Sequence, residues 1–300
     1  MVKKGLHDMK NKTTGRRVFE IFNTLFMVFM IFVCLYPMIY VFFASLSNSD
    51  MLMAHRGILL KPLGANLDSY RAVMKNKLIF SGYRNTLFIL VVGVAINLLM
   101  TSLGAYFLSR KNVMLKGVIM GMITFTMFFS GGLIPMYLTV KNLHLLNTLW
   151  SLILPGAIST YNMIILRTSF AAIPDTLEEA AQIDGAGHIR ILFQIVLPLS
   201  KSIIAVMILY YGVGYWNGWF NASIYLDERH LFPLQLVLRE ILLANDTSAM
   251  TQGAGLADEI SIAETVKYAV IIVSTLPILC IYPFMQKYFD KGVMIGALKG

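Results

Sequence analysis

Ile173 to Pro198 read IPDTLEEAAQIDGAGHIRILFQIVLP. These residues lie between two long apolar segments and combine acidic residues, small residues and helix punctuation in an order suited to docking. Asp175 is placed to cap a helix, and Glu178 follows three residues later, the spacing of a capping box that answers the first free amides. Leu177, Ala180, Ala181 and Asp184 recur at helical spacing, so one bulky apolar group and two alanines share a face that another protein can approach closely. Gly185, Ala186 and Gly187 give the backbone freedom to stop this helix of about two turns and start a second, His188 to Val196, ended by Pro198. The expectation is a helix, turn, helix handle.

Within it, Glu179-Ala180-Ala181, then Gly185, then Ile195 and Leu197-Pro198 at fixed offsets resemble the cytoplasmic loop of permease subunits of bacterial ABC importers of the maltose type. The resemblance implies an all-α integral membrane protein with six transmembrane helices, the MetI-like permease fold, and a coupling helix seated in a cleft of an ATPase subunit. It implies that Asp175, Leu177, Glu178, Glu179, Ala180, Ala181, Asp184 and Gly185 form the ATPase-coupling surface. It further implies a sister permease subunit, two ATP-binding subunits and an extracytoplasmic solute-binding protein as partners. ATP and Mg then act on the ATPase subunits, with no cofactor or metal bound by this chain. An ordinary amphipathic connector is the alternative, but it needs neither the paired alanines nor the glycine at that offset.

Composition agrees with a membrane protein. The 300 residues are 57% hydrophobic and 14% charged, against about 45 to 50% and about 25% in soluble domains. A crossing helix needs about 20 apolar residues, and six segments qualify, at roughly 19–46, 84–109, 115–139, 147–168, 199–223 and 264–286. The expected organisation is a basic tail over 1–17, a transmembrane permease domain over 18–290 with the coupling loop at 170–198, and a cytoplasmic tail over 291–300. The net charge of +9 does not indicate nucleic acid, because the basic residues are scattered in short loops rather than gathered on one soluble face. With both termini inside a bacterial cytoplasmic membrane, the inner side holds 15 of the 25 Lys and Arg residues, in the sense of the positive-inside rule. Six of the outer ten lie between Arg56 and Arg84, in a loop long enough to be less constrained by charge.

Cys34 and Cys280 are the only cysteines; they make no disulfide framework and no metal spacing, and read as small buried hydrophobes. Lys10, Lys12, Arg16 and Arg17 precede an apolar run too long for a signal peptide, so an uncleaved anchor is expected, with Pro37 as a kink. Residues 59–76 suggest a short amphipathic helix that touches either a partner or the bilayer surface.

Asn97, Thr101 and Gly104 share a face of the second span. Such a stripe lines a watery path or packs helices through small and hydroxyl groups; Asn97 is the pathway candidate. Gly131, Gly132 and Pro135 are placed to break or bend the third span. Phe129 to Pro135, FSGGLIP, is similar to a branch of carbohydrate permeases. The fifth span reads YYGVGYWNGWFN from Tyr210, with Tyr210, Gly214, Asn217 and Asn221 on one face and Trp216 beside it. Aromatic faces with amide donors suit a sugar ring and its hydroxyls; an interfacial aromatic belt is the alternative. Asn97, Tyr210, Trp216, Asn217 and Asn221 are therefore the substrate-pathway candidates.

Tyr225 to Ser261 form the longest polar stretch, which by position resembles the loop that enters the docked binding protein. Pro277 and Pro283 are candidate hinges in the last span. The final residues, with Gly296, Lys299 and Gly300, resemble the tail that inserts between paired ATPase subunits; a frayed terminus is the alternative.

No phosphate-binding GxxxxGK[ST] loop is present, and no paired carboxylates, His cluster or Ser/His/Asp set falls within the spans, which argues against an intramembrane enzyme. A self-sufficient channel or ion-coupled carrier places charge near the midplane, and none is evident. The reading is a carbohydrate-importing permease subunit driven by separate ATPases, with an ABC permease for a non-sugar solute as the alternative.

Overall fold

The computed structural model describes residues 14–244, 265–281 and 283. All regular structure among them is helical. The described residues form two compact units, one from 14–73 and 265–272, the other from 74–244, 273–281 and 283.

The first unit opens with α1 (Thr14–Ser45), 32 residues that run through Pro37, about 48 Å at helical rise. Its most hydropathic window is apolar around the whole circumference, and none of that window is buried among the described residues. A helix of this kind has no stable place in water. Its end is tied down by hydroxyl groups. Ser45 Oγ donates to Phe42 O and shares a 2.7 Å hydrogen bond with Tyr70, while Ser47 Oγ donates to Phe43 O and accepts from the Leu63 amide. Asn48 caps α2 (Ser49–Ala54) by accepting from the Asp50 and Met51 amides. Ala44, Leu52 and Leu59 are buried together under Tyr40, Phe43, Leu63 and Tyr268. The short amphipathic helix expected in 59–76 is α3 (Asp68–Lys75).

The second unit is organised by α4 (Lys77–Ser109), capped by Asn76 accepting from the Leu78 amide. It starts seven residues before the expected second span. After it come α5 (Lys116–Phe128), α6 (Leu133–Asn142), α7 (Trp150–Ile153), α8 (Thr160–Ala171), α9 (Asp175–Ile183), α10 (His188–Leu199), α11 (Lys201–Trp216), α12 (Phe220–Tyr225) and α13 (Leu234–Ala244). α14 (Thr265–Ile281) is apolar and shorter than a full crossing. α8, α11 and α13 pack against α4. Leu108, Leu166, Phe170, Ile191, Leu192, Val196 and Met207 form the buried centre of the packing, each 2% exposed or less.

Six uninterrupted spans are not what the described helices supply. α1 and α4 are long and apolar enough to cross a membrane; two bent pairs raise the number to four if each counts as one span. α5 and α6 divide the segment expected as the third span, 115–139, and meet at 110° across a break at Phe129–Gly132, where a break or bend was expected from Gly131, Gly132 and Pro135; Gly132 takes φ +85, a conformation costly to any residue with a Cβ. The expected fourth span is divided into α7, a 3-10 turn at Leu154–Gly156 and α8. α10 and α11 meet at 89°, and α11 stops at Trp216 rather than 223. Apolar composition marks a segment for the membrane but does not report where Gly and Pro release backbone groups and redirect it.

Two further expectations are corrected. Cys34 and Cys280 are both exposed in this chain rather than buried. The polar stretch after Tyr225 is not all loop: Leu234–Ala244 is helical and packs on α4, burying Leu234, Leu236, Val237 and Ile241. Gly82 is what allows the approach, since a Cβ there would lie 3.1 Å from the Leu234 backbone. The remainder, 245–261, lies outside the described residues.

Candidate functional site

The handle forms, but it is capped and oriented differently from its sequence-based reading. Pro174 occupies the N-cap of α9, no side chain caps it, and Asp175 is the first helical residue. Ile173-Pro174 dictates this, because proline forces the residue before it into extended backbone and holds its own φ near helical values. Freed from capping, both acidic residues of the first turn serve as ion-pair partners. Glu178 is buried and pairs with Arg110; Asp175 pairs with Lys111. Arg110 closes α4, so the helix of the handle is fastened to the end of the longest helix in its unit.

Arg110 is held on several sides. Its Nη2 donates to Phe170 O at 3.2 Å, its Nε to Ser109 Oγ at 2.9 Å, and its guanidinium lies 4.8 Å from the centre of the Tyr106 ring. Burial pushes the Arg110 guanidinium below its ordinary value, and Tyr106 and Asp175 oppose that shift. Hydrogen bonding to Lys111 holds the Asp175 carboxyl below the usual carboxylate range, and the same bond raises Lys111. Alongside, Arg167 Nε donates to Leu108 O at 3.2 Å, and Tyr106 shares a 3.4 Å contact with His188 Nδ1.

The turn closes tightly. Gly185 takes φ +79, and the Ala186 amide donates to Ala181 O at 2.9 Å. Ala181 and Ala186 pack on the buried centre, as do Ile191, Leu192 and Val196 of α10; residues 192–196 adopt a π turn. Of the eight coupling candidates, Glu178 faces inward and Ala181 is half-buried against the centre. Asp175, Leu177, Glu179, Ala180, Asp184 and Gly185 are exposed. The sequence reading missed Ile183, which is 87% exposed where Leu177 is 43% exposed, and Arg110. Two cations at the end of a long apolar run were the available signal for the latter.

A second site lies within the same unit. A pocket of about 360 Å3 is lined by Asn97, Ser159, Asn162, Tyr210, Tyr211, Tyr215, Asn221 and the backbone of Gly156, Gly214 and Gly218, with Ile89, Leu152, Ala222 and Pro233. No charged side chain lines it. Its walls are set by a hydrogen-bond network. Asn97 Nδ2 donates to Gly156 O at 2.7 Å, and Tyr215 donates its hydroxyl to Asn97 Oδ1 at 2.7 Å. Thr101 and Tyr211 share a 2.7 Å hydrogen bond, and the Tyr211 oxygen also accepts the Ser159 amide. The polar stripe of α4 thus holds the broken fourth span and α11 in place. Gly93 lets the Tyr215 ring lie against α4, since a Cβ there would sit 2.6 Å from it.

The pathway candidates separate. Asn97, Tyr210 and Asn221 line the pocket. Trp216 and Asn217 do not: Trp216 is 5% exposed and donates from Nε1 to Ser274 O at 3.2 Å, and Asn217 caps the end of α11. Tyr210 to Asn221 do not form the one helical face expected of them: the helix stops at Trp216, Asn217 leaves the pocket lining, and Gly218, Asn221 and Ala222 return to it. Asn162 lines the pocket and was not foreseen. Gly296, Lys299 and Gly300 lie outside the described residues. Among the described residues no three His, Cys, Asp or Glu side chains gather into a metal-holding group.

Residues 99–295 match the family described as the binding-protein-dependent transport system inner membrane component. Protein LplC of Bacillus subtilis (strain 168) is 40% identical over 295 residues, covering 98% of this chain and 99% of that one. The polygalacturonan/rhamnogalacturonan transport system permease protein YtcP of the same organism is 39% identical over 289 residues, covering 95% and 99%. The crystal structure of a bacterial ABC transporter involved in the import of the acidic polysaccharide alginate contains a chain that superposes with a TM-score of 0.86 at 31% identity, covering 94% of this chain and 100% of that chain.

Proposed function

This chain belongs to the family of binding-protein-dependent transport system inner membrane components, and from that premise we propose that it is the permease subunit of an ABC importer for an oligosaccharide. Support for the carbohydrate comes from the named substrates of relatives, polygalacturonan and rhamnogalacturonan for one and alginate for another. It comes also from a pocket lined by amides, tyrosines and glycines.

The observation that carries the coupling role is the fastening of α9. Its exposed side offers Leu177, Glu179, Ala180 and Ile183 to a partner, while its inner side is anchored to Arg110. In this reading the partner is an ATP-binding subunit, present twice, and ATP with Mg acts there. Movement of α9 on nucleotide binding passes through Glu178 and Arg110 to the end of α4. Asn97 lies 13 residues along that helix, about 20 Å, so the pocket and the docking face share one rigid element. Alternating access then needs only two arrangements of packed helices, each favoured by a different state of the ATPase pair. A sister permease, a solute-binding protein outside, and both termini inside the cytoplasmic membrane complete the assembly.

The test is reconstitution in proteoliposomes with the cognate ATPase and binding protein. ATP-dependent uptake of tetragalacturonate or maltotetraose supports the assignment. Failure of any ATPase to co-purify, or uptake that ignores ATP, rules it out.

A further inference from the structure

Asn162 is 6% exposed; its backbone N–H donates to Ser159 Oγ at 3.4 Å, and among the described residues no hydrogen bond reaches its side-chain amide. Asn162 lines the pocket, so its carboxamide is open to whatever enters there. The other polar side chains around it are differently placed. Asn97, Tyr211 and Tyr215 have their side-chain polar atoms spent on one another, on Thr101 and on backbone. Asn221 also lines the pocket with no hydrogen bond, but it is exposed and water can serve it.

Resting on the importer reading above, we infer that this subunit itself holds sugar during passage, and that Asn162 reads a vicinal hydroxyl pair of one pyranose unit. A carboxamide offers a donor and an acceptor side by side, which two neighbouring hydroxyls match by accepting from one and donating to the other. A carboxylate uses only the donor half of that carboxamide and leaves its carbonyl oxygen without a proton to accept, and no cation lines the pocket. Any uronate carboxylate on the sugar is therefore turned away from this pocket, and recognition here is by hydroxyls.

The complete transporter in proteoliposomes, with saturating binding protein, is assayed for uptake of tetragalacturonate and of maltotetraose. Asn162→Ala breaks no internal side-chain bond, so the complex still co-purifies with its ATPase at an unchanged melting temperature, while uptake of the imported probe falls about tenfold. Asn162→Asp keeps two acceptors for hydroxyls and falls between wild type and Asn162→Ala. Uptake unchanged in both variants overturns the sugar contact. Asn162→Asp slower than Asn162→Ala shows a carboxylate in the pocket and overturns the hydroxyl reading. Wild-type liposomes that import neither probe overturn the importer assignment on which this inference rests.

Discussion

Arg110 and Glu178 form an ion pair whose side chains are 15% and 8% exposed, joining the end of α4, the longest helix in its unit, to the first turn of α9. A pair this deep is weak evidence for stability in itself, because desolvation offsets much of the attraction. What it does is fix one relative position for α4 and α9, with the exposed Lys111–Asp175 pair beside it. The guanidinium also holds Phe170 O, so α4, α8 and α9 share a single joint.

Breaking that joint from one side leaves a buried charge without its partner. Glu178→Ala is expected to destabilise the protein by about 3 kcal/mol, read as a lower melting temperature of the purified complex, and to reduce sugar moved per ATP hydrolysed. The exchange Arg110→Glu with Glu178→Arg should restore part of both. Coupling that stays at the wild-type ratio in Glu178→Ala would show that the pair only stabilises.

Glu179, the next residue of α9, is exposed and is not a member of the Arg110–Glu178 pair. Glu179→Lys should leave the chain inserted and melting normally while the ATPase no longer co-purifies and uptake stops. Normal transport with a normally bound ATPase would remove α9 from the coupling role.

The Lys111–Asp175 pair is solvent-exposed, so water and salt screen it. Its sign is nonetheless defined. The Asp175 carboxyl is depressed, so its contribution is present above the unfolded carboxylate value and is lost as pH falls through the lower folded one. Lys111 is raised, so its contribution is present below the unfolded lysine value and is lost as pH rises through the higher folded one. Between about pH 5 and pH 9 the melting difference between wild type and Asp175→Asn should be small and flat. A difference that grows across that window would point to another titrating group.

Two glycines of α4 should respond differently to the same substitution. In Gly93→Ala the new methyl meets the Tyr215 ring at 2.6 Å, and that ring is fixed by its 2.7 Å bond to Asn97; the cost should reach about 1 to 3 kcal/mol, with loss of uptake as the pocket wall shifts. In Gly104→Ala the obstacle is the Met163 sulfur at 2.7 Å, the flexible part of an adaptable side chain, and the change should be nearly silent. Melting temperatures and uptake rates of the two variants, measured together, check the contrast. Equal effects would place Tyr215 outside the pocket wall.

Much of this was legible in the chain. The offsets from Glu179 through Gly185 to Pro198 place a short helix, a turn and a second helix because each depends on residues within one or two turns of it. The apolar lengths marked membrane segments for the same reason, and Gly131, Gly132 and Pro135 marked the break in the third of them. Asn97 stood out as a polar side chain in an apolar helix. Asn162 did not, since it sits beside Thr160 and Tyr161 with nothing local to distinguish it.

By itself, then, the sequence determined the helical class, the membrane character and the handle, all properties of near neighbours and of composition. Only the folded chain decided that Glu178 turns inward to Arg110, that Tyr211 and Tyr215 spend their hydroxyls on Thr101 and Asn97, and that Asn162 is left over. Those outcomes join residues 68, 110 and 118 positions apart. Which polar group finds a partner at that separation is settled by packing, and no periodicity along the chain records it.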